Sequence, residues 1–125
     1  MQLLLAAKGA AHVILVSDGT AATAMPDGKY RLGSLEVSVS AGVCRNAEGK
    51  LAGSTLTLDR ALRTIVSLGV PLADAIAMLT ANPARLLGLE KRKGLLAPGA
   101  DADFVLLTAD LQVGGVVTRG FSAGL

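Results

Sequence analysis

Aromatic side chains are nearly missing from this 125-residue chain, which has no Trp, one Tyr and two Phe, 2% in all. Single-stranded nucleic acids are held by stacking bases on aromatic rings, so this composition argues against that class of function. Cysteine is as scarce. Cys44 is the only one, which excludes an intrachain disulfide and, with no signal-peptide pattern, points to a reducing cytosol. Cys44 falls in a strand-like segment and reads as a small packing residue rather than a nucleophile. There is also one histidine, His12. A metal centre normally draws on several ligands, so His12 reads as structural or superficial. Long apolar runs are absent too. None approaches the roughly 20 residues that span a bilayer, so the mean hydropathy of +0.53 signifies a buried chain rather than a membrane one.

Charge gives little direction. Twelve basic and ten acidic residues leave a net +2. The two signs are mixed along the chain, and the one basic cluster, Lys91-Arg92-Lys93, reads as a solvated loop rather than a phosphate-binding patch. Apolar residues make up 51%, and with so few aromatics the core must be built from Ala, Leu and Val. The length suits one ordinary domain.

Val13-Ile14-Leu15-Val16 is a pure aliphatic run, the pattern of a strand buried on both faces. It ends in Ser17-Asp18-Gly19-Thr20. A carboxylate at the C-terminal end of a buried parallel strand sits where α/β folds keep their chemistry. Apolar walls would make Asp18 costly to ionise without a metal, a cation or donors nearby. An Asp that merely turns the loop is the competing reading.

Upstream, Leu3–Ala7 reads as the end of a helix capped by Gly9. Downstream, Pro26-Asp27-Gly28 is a turn. Three short strands are expected over 29–32, 35–39 and 41–45, the second with the alternation of a half-exposed sheet. Leu58, Ala61, Leu62 and Ile65 follow helical spacing and predict a helix over 55–68. A second helix begins near Pro71. Asn82-Pro83 suggests an N-cap and first-turn proline for a third, 84–87. Strands are expected over 104–107 and 113–118.

The glycine-rich stretches carry no phosphate-loop spacing, and no G-x-G-x-x-G follows the first strand. Leu51-Ala52-Gly53-Ser54-Thr55 is more informative. Small residues ahead of a helix can offer backbone N–H groups to an anion, or Ser54 or Thr55 can simply cap the helix.

Taken together, these segments resemble the N-acetylglucosamine-6-phosphate deacetylases of the amidohydrolase superfamily. The likeness is carried by Leu15-Val16-Ser17-Asp18, by Asn46 through Ser54, by Leu56-Thr57-Leu58-Asp59-Arg60-Ala61, by Asn82-Pro83-Ala84-Arg85-Leu86-Leu87-Gly88-Leu89 and by Gly94 through Val105. The last two stretches are common to many amidohydrolases. The Leu-Ala-Gly-Ser segment and its Leu-Thr-Leu-Asp-Arg sequel are more specific.

The resemblance implies an α/β fold: a TIM barrel with a metal site, plus a small β-sandwich. Residues 1–93 would be the end of the barrel, with a β insertion at 29–51, and 94–125 would return strands to the sandwich. Val13–Ser17 would be the eighth barrel strand. Asp18 would be the catalytic aspartate, a proton carrier in possible contact with the metal. Leu51, Ala52, Gly53 and Ser54 would hold the sugar-phosphate substrate. The family binds a divalent ion, zinc being expected, through a Glu and histidines that this sequence lacks. The chain is therefore expected to be the C-terminal third of such an enzyme, cytoplasmic, holding no metal and inactive alone. Its expected partners are a second copy or a complementing chain, not nucleic acid or a membrane.

Overall fold

The computed structural model describes residues 1–123. They divide into two compact units, one of Met1–Leu15 with residues 62–123, the other Val16–Ala61.

The second unit is built on an antiparallel sheet, β1 (Gly28–Leu32), β2 (Leu35–Ser40) and β3 (Val43–Asn46), in that order. The alternation along β2 resolves as expected: Val37 and Val39 are buried while Glu36, Ser38 and Ser40 face out. With Ala22 and Cys44 they form the core of this unit, covered by Tyr30 and Ala52. Cys44 is a buried free thiol, as its packing role requires. The strand expected from Ala41 starts instead at Val43. Ala41 (φ 49°) and Gly42 (φ 74°) make the turn itself, with the left-handed pair that matches strand twist in a tight hairpin. The Asp27 carboxylate holds that turn by accepting from Ala41 N at 2.6 Å and Gly42 N at 3.4 Å.

The first unit opens with α1 (Gln2–Lys8), closed by Gly9, and a single 3-10 turn over Ala10–His12. His12 is exposed in that turn, in keeping with a superficial role. α2 (Leu58–Ser67) begins in the second unit and continues in the first. α3 (Leu72–Leu79) and α4 (Ala81–Leu86) follow. Leu62, Ile65, Ala75 and Met78 bury their side chains with Val13. Leu62 and Ile65 belong to the stripe that helical spacing anticipated, whereas Leu58 of that stripe is 48% exposed. A second antiparallel sheet, β4 (Phe104–Leu107), β5 (Val113–Thr118) and β6 (Phe121–Ala123), completes the unit.

Two further local expectations are corrected. The first concerns Asn82, which is not the cap of α4. That helix starts one residue earlier, at Ala81. The Asn82 amide is buried and donates to the carbonyls of Ala10 (2.9 Å) and Val13 (2.7 Å). Pro83 still lies in the first turn, where no N–H partner is needed. The second concerns Val13–Ser17, which is not laddered as a strand among the described residues. Leu15 N donates to Met78 O at 3.1 Å, but no other described segment runs beside it as a parallel neighbour. A strand is defined by its partner, and Val16 is left 69% exposed.

Candidate active site

The turn after Val16 is locally closed. Gly19 N donates to Ser17 Oγ at 3.3 Å, Ala22 N to Thr20 Oγ1 at 3.2 Å and Thr23 N to Thr20 O at 3.0 Å. Ser and Thr hydroxyls commonly organise turns in this way. Asp18 adopts φ 48°, the left-handed region that Asp tolerates better than most residues. Its side chain is exposed, so the apolar walls expected from the aliphatic run do not enclose it.

Leu51–Ser54 extends from the β3 sheet. Asn46 N donates to Lys50 O at 2.9 Å and Ala52 N to Cys44 O at 3.0 Å, and Arg45 bridges Leu51. Gly53 is at φ 81°, and a Cβ there would lie 2.4 Å from Thr20 Cγ2, so only glycine fits.

The two segments meet. Gly19 and Ser54 form a parallel bridge. Ser54 N donates to Asp18 O at 3.1 Å, and Thr20 N donates to Ser54 O at 2.9 Å. The proton-carrier candidate and the substrate-loop candidate thus share one hydrogen-bonded frame. The frame also sorts the loop's donors. The N–H groups of Ala52 and Ser54 are committed internally. Among the described residues those of Leu51 and Gly53 have no backbone acceptor and stay available. Ser54 Oγ accepts from Leu56 N at 2.9 Å, and the Thr55 hydroxyl donates to Gly42 O. Neither caps α2, which starts only at Leu58.

Two residues here escaped the sequence reading. Arg60 is exposed and lines a cavity of about 220 Å³ together with Gly42, Cys44, Leu51, Gly53 and Ser54. Thr23 donates its hydroxyl to Ser54 O at 3.2 Å. The Leu-Asp-Arg motif was a signal for the first. The second had none, because a Thr in an Ala- and Thr-rich loop looks like any other.

A catalytic zinc takes about three protein donors. Among the described residues no three His, Cys, Asp or Glu side chains are grouped to hold a metal. The donors present therefore do not fit a metal centre.

The sequence matches the amidohydrolase family over residues 2–125, and the chain belongs to that family. Its relatives narrow the likeness to the amino-sugar phosphate deacetylases. It is 44% identical over 110 residues to the N-acetylgalactosamine-6-phosphate deacetylase of Escherichia coli O157:H7, covering 87% of this chain and 29% of that one. Against the N-acetylglucosamine-6-phosphate deacetylase of Vibrio furnissii it is 39% identical over 103 residues, covering 82% and 26%. The N-acetyl-D-glucosamine-6-phosphate deacetylase of Mycobacterium smegmatis, solved in complex with N-acetyl-D-glucosamine-6-phosphate, superposes with a TM-score of 0.86 at 40% identity. That match covers 97% of this chain and 33% of the other. The chain thus spans a third or less of the length of these three proteins, while a shorter relative from Escherichia coli K12, 44% identical, is matched over 66% of its length and 87% of this chain. The resemblance to N-acetylglucosamine-6-phosphate deacetylases read from the motifs stands on these likenesses.

Proposed function

We propose that the chain is the closing part of a metal-dependent amide hydrolase that removes acetate from N-acetylglucosamine 6-phosphate. The observation that carries this reading is the frame joining Asp18 to Ser54, because it unites the two candidates the motifs select. In this reading the Asp18 carboxylate takes a proton from the attacking water and returns it to the leaving amine nitrogen. A carboxylate that is exposed on a backbone-held turn can do so without moving the chain. The free N–H groups of Leu51 and Gly53 meet oxygens of the sugar phosphate. Any divalent ion, zinc by the resemblance, would take its remaining donors from outside this chain, with Asp18 as the contact offered by these residues.

The architecture assigned to it follows. Residues 1–93 are the end of a barrel with the β insertion at 29–51, and 94–125 contribute sandwich strands. Val13–Ser17 becomes the last barrel strand once parallel neighbours flank it.

The test is a fusion in which this chain replaces the corresponding third of the Mycobacterium smegmatis relative. Acetate release from N-acetylglucosamine 6-phosphate is expected, and Asp18→Asn should lower kcat on the order of a hundredfold or more. The galacto epimer serves as the competing substrate. A folded, metal-loaded fusion that hydrolyses neither sugar, or whose Asp18→Asn variant keeps its rate, rejects the reading.

A second reading, an assembly module that needs a partner chain, is favoured by a specific observation. Val16, Leu3, Leu86, Leu96 and Phe121 are each at least 69% exposed, and large exposed apolar surface marks interaction sites.

A further inference from the structure

We propose that Thr23 is a positioning residue for Asp18, acting through the carbonyl of Ser54; this rests on the catalytic reading of Asp18 given above. Asp18 holds a left-handed backbone (φ 48°), a conformation that Asp tolerates but that still costs free energy and is held in place by its surroundings. The restraint on its carbonyl is a single bond, accepted from Ser54 N at 3.1 Å. Ser54 is held in turn from the other side. Its carbonyl accepts from Thr20 N at 2.9 Å and from the Thr23 hydroxyl at 3.2 Å. Thr23 is brought there by its own N–H, which donates to Thr20 O at 3.0 Å, and by the fully buried Ala22 beside it.

The frame is closed at the far end by shape. Thr20 Cγ2 occupies the space that a side chain at Gly53 would need. Loop 51–54 and the Asp18 turn therefore cannot shift independently. Displacing Ser54 releases the Asp18 carbonyl, and the carboxylate loses its fixed base. Fixed placement of a reacting group accounts for a large share of catalytic rate, so a hydroxyl that touches no substrate can still set the turnover.

The experiment uses the 125-residue chain, isotopically labelled, with Thr23→Val, Thr23→Ser and Gly53→Ala. In Thr23→Val, amide exchange at Ser54 should accelerate on the order of fivefold to tenfold, the loss of one hydrogen bond. The Asp18 Cα and Cβ chemical shifts should leave their left-handed values. Thr23→Ser, which keeps the hydroxyl, should restore both. Gly53→Ala should give the same pair of changes by pushing on Thr20, and it decides the matter if Thr23→Val does not fold. Unchanged Asp18 shifts overturn the proposal, whether or not Ser54 exchange rises. In the fusion, Thr23→Val should lower kcat on the order of tenfold while KM changes little; an unchanged kcat overturns the positioning role. A fusion inactive even without substitutions removes the catalytic reading but leaves the exchange and shift outcomes decisive for the frame.

Discussion

Asn82 shows how a residue's surroundings can reassign it. Its type and its place before a proline suit a helix cap, yet its amide crosses to the Ala10 and Val13 carbonyls, 72 and 69 residues away in sequence. The Ala10 carbonyl also accepts from Val13 N at 3.3 Å, but the Val13 carbonyl would otherwise be orphaned beside a buried core, an expensive arrangement. Asn82→Ala is expected to destabilise the chain by about 1–3 kcal/mol, the desolvation cost of buried groups left unpaired. Urea unfolding with the slope m unchanged measures it. A midpoint equal to that of the parent chain would show that these bonds do not hold the N-terminal segment. Thr23 is the same kind of case. Its identity is unremarkable in the loop, and its importance lies in the carbonyl it meets.

The connection into β4 and the β5–β6 turn are held together by charge rather than by apolar packing. Lys93 is bonded by the Asp103 carboxylate and lies 2.9 Å from that of Asp101, which also takes Arg92 at 3.0 Å. Asp103 additionally accepts from Arg119 N at 2.7 Å. These bonds act in both directions. Lys93 hydrogen bonding lowers the Asp101 and Asp103 carboxyls below the ordinary carboxylate range, and both carboxylates, Asp103 first, raise the Lys93 ammonium. The two carboxylates therefore stabilise the fold above their ordinary titration, near pH 4, and lose that contribution as pH falls through their depressed folded values. Lys93 contributes below its ordinary value, near pH 10.4, and loses its contribution as pH rises through its raised folded value. Asp101→Asn with Asp103→Asn should flatten the acid limb of the stability profile, read by thermal melting from pH 2 to 6. An acid limb identical to the parent's would show that the cluster is only a solvated group of ions. A neighbouring approach is just as specific. A Cβ at Gly94 would stand 2.6 Å from the Thr80 carbonyl, so the basic loop can pass α4 only because it carries a glycine there.

The chain as a whole exposes more apolar surface than it needs. Leu51 and Leu87 join the residues named above at or near 70% exposure, and the N–H groups of Ile14 and Val16 find no acceptor among the described residues. Unpaired backbone beside exposed aliphatics favours association. The purified chain is expected to run as an oligomer by light scattering and to dissociate, with loss of cooperative unfolding, on dilution. The same preparation should release no acetate from N-acetylglucosamine 6-phosphate with added zinc, since no three donors among the described residues group to hold a metal. A monodisperse, cooperatively folded monomer would refute the association, and robust turnover would refute the inactivity. No helix among the described residues is long and apolar enough to cross a membrane, so exposed leucines are not read as a span.

Much of this was legible in the sequence because it is written in short-range periodicity. The alternation in β2, the helical stripe of Leu62 and Ile65 and the strands Phe104–Leu107 and Val113–Thr118 each follow from neighbours a few residues apart. The family, too, is written in contiguous motifs. Other features depend on partners distant in the chain. These include the pairing of Gly19 with Ser54, the internal commitment of two of the loop's four N–H groups, the reassignment of Asn82 and the unladdered state of Val13–Ser17. A hydrogen bond is satisfied by whichever group the fold brings within about 3 Å, and a strand exists only beside another strand. Residue order alone specifies neither, so these features were settled only when the tertiary structure brought the partners together.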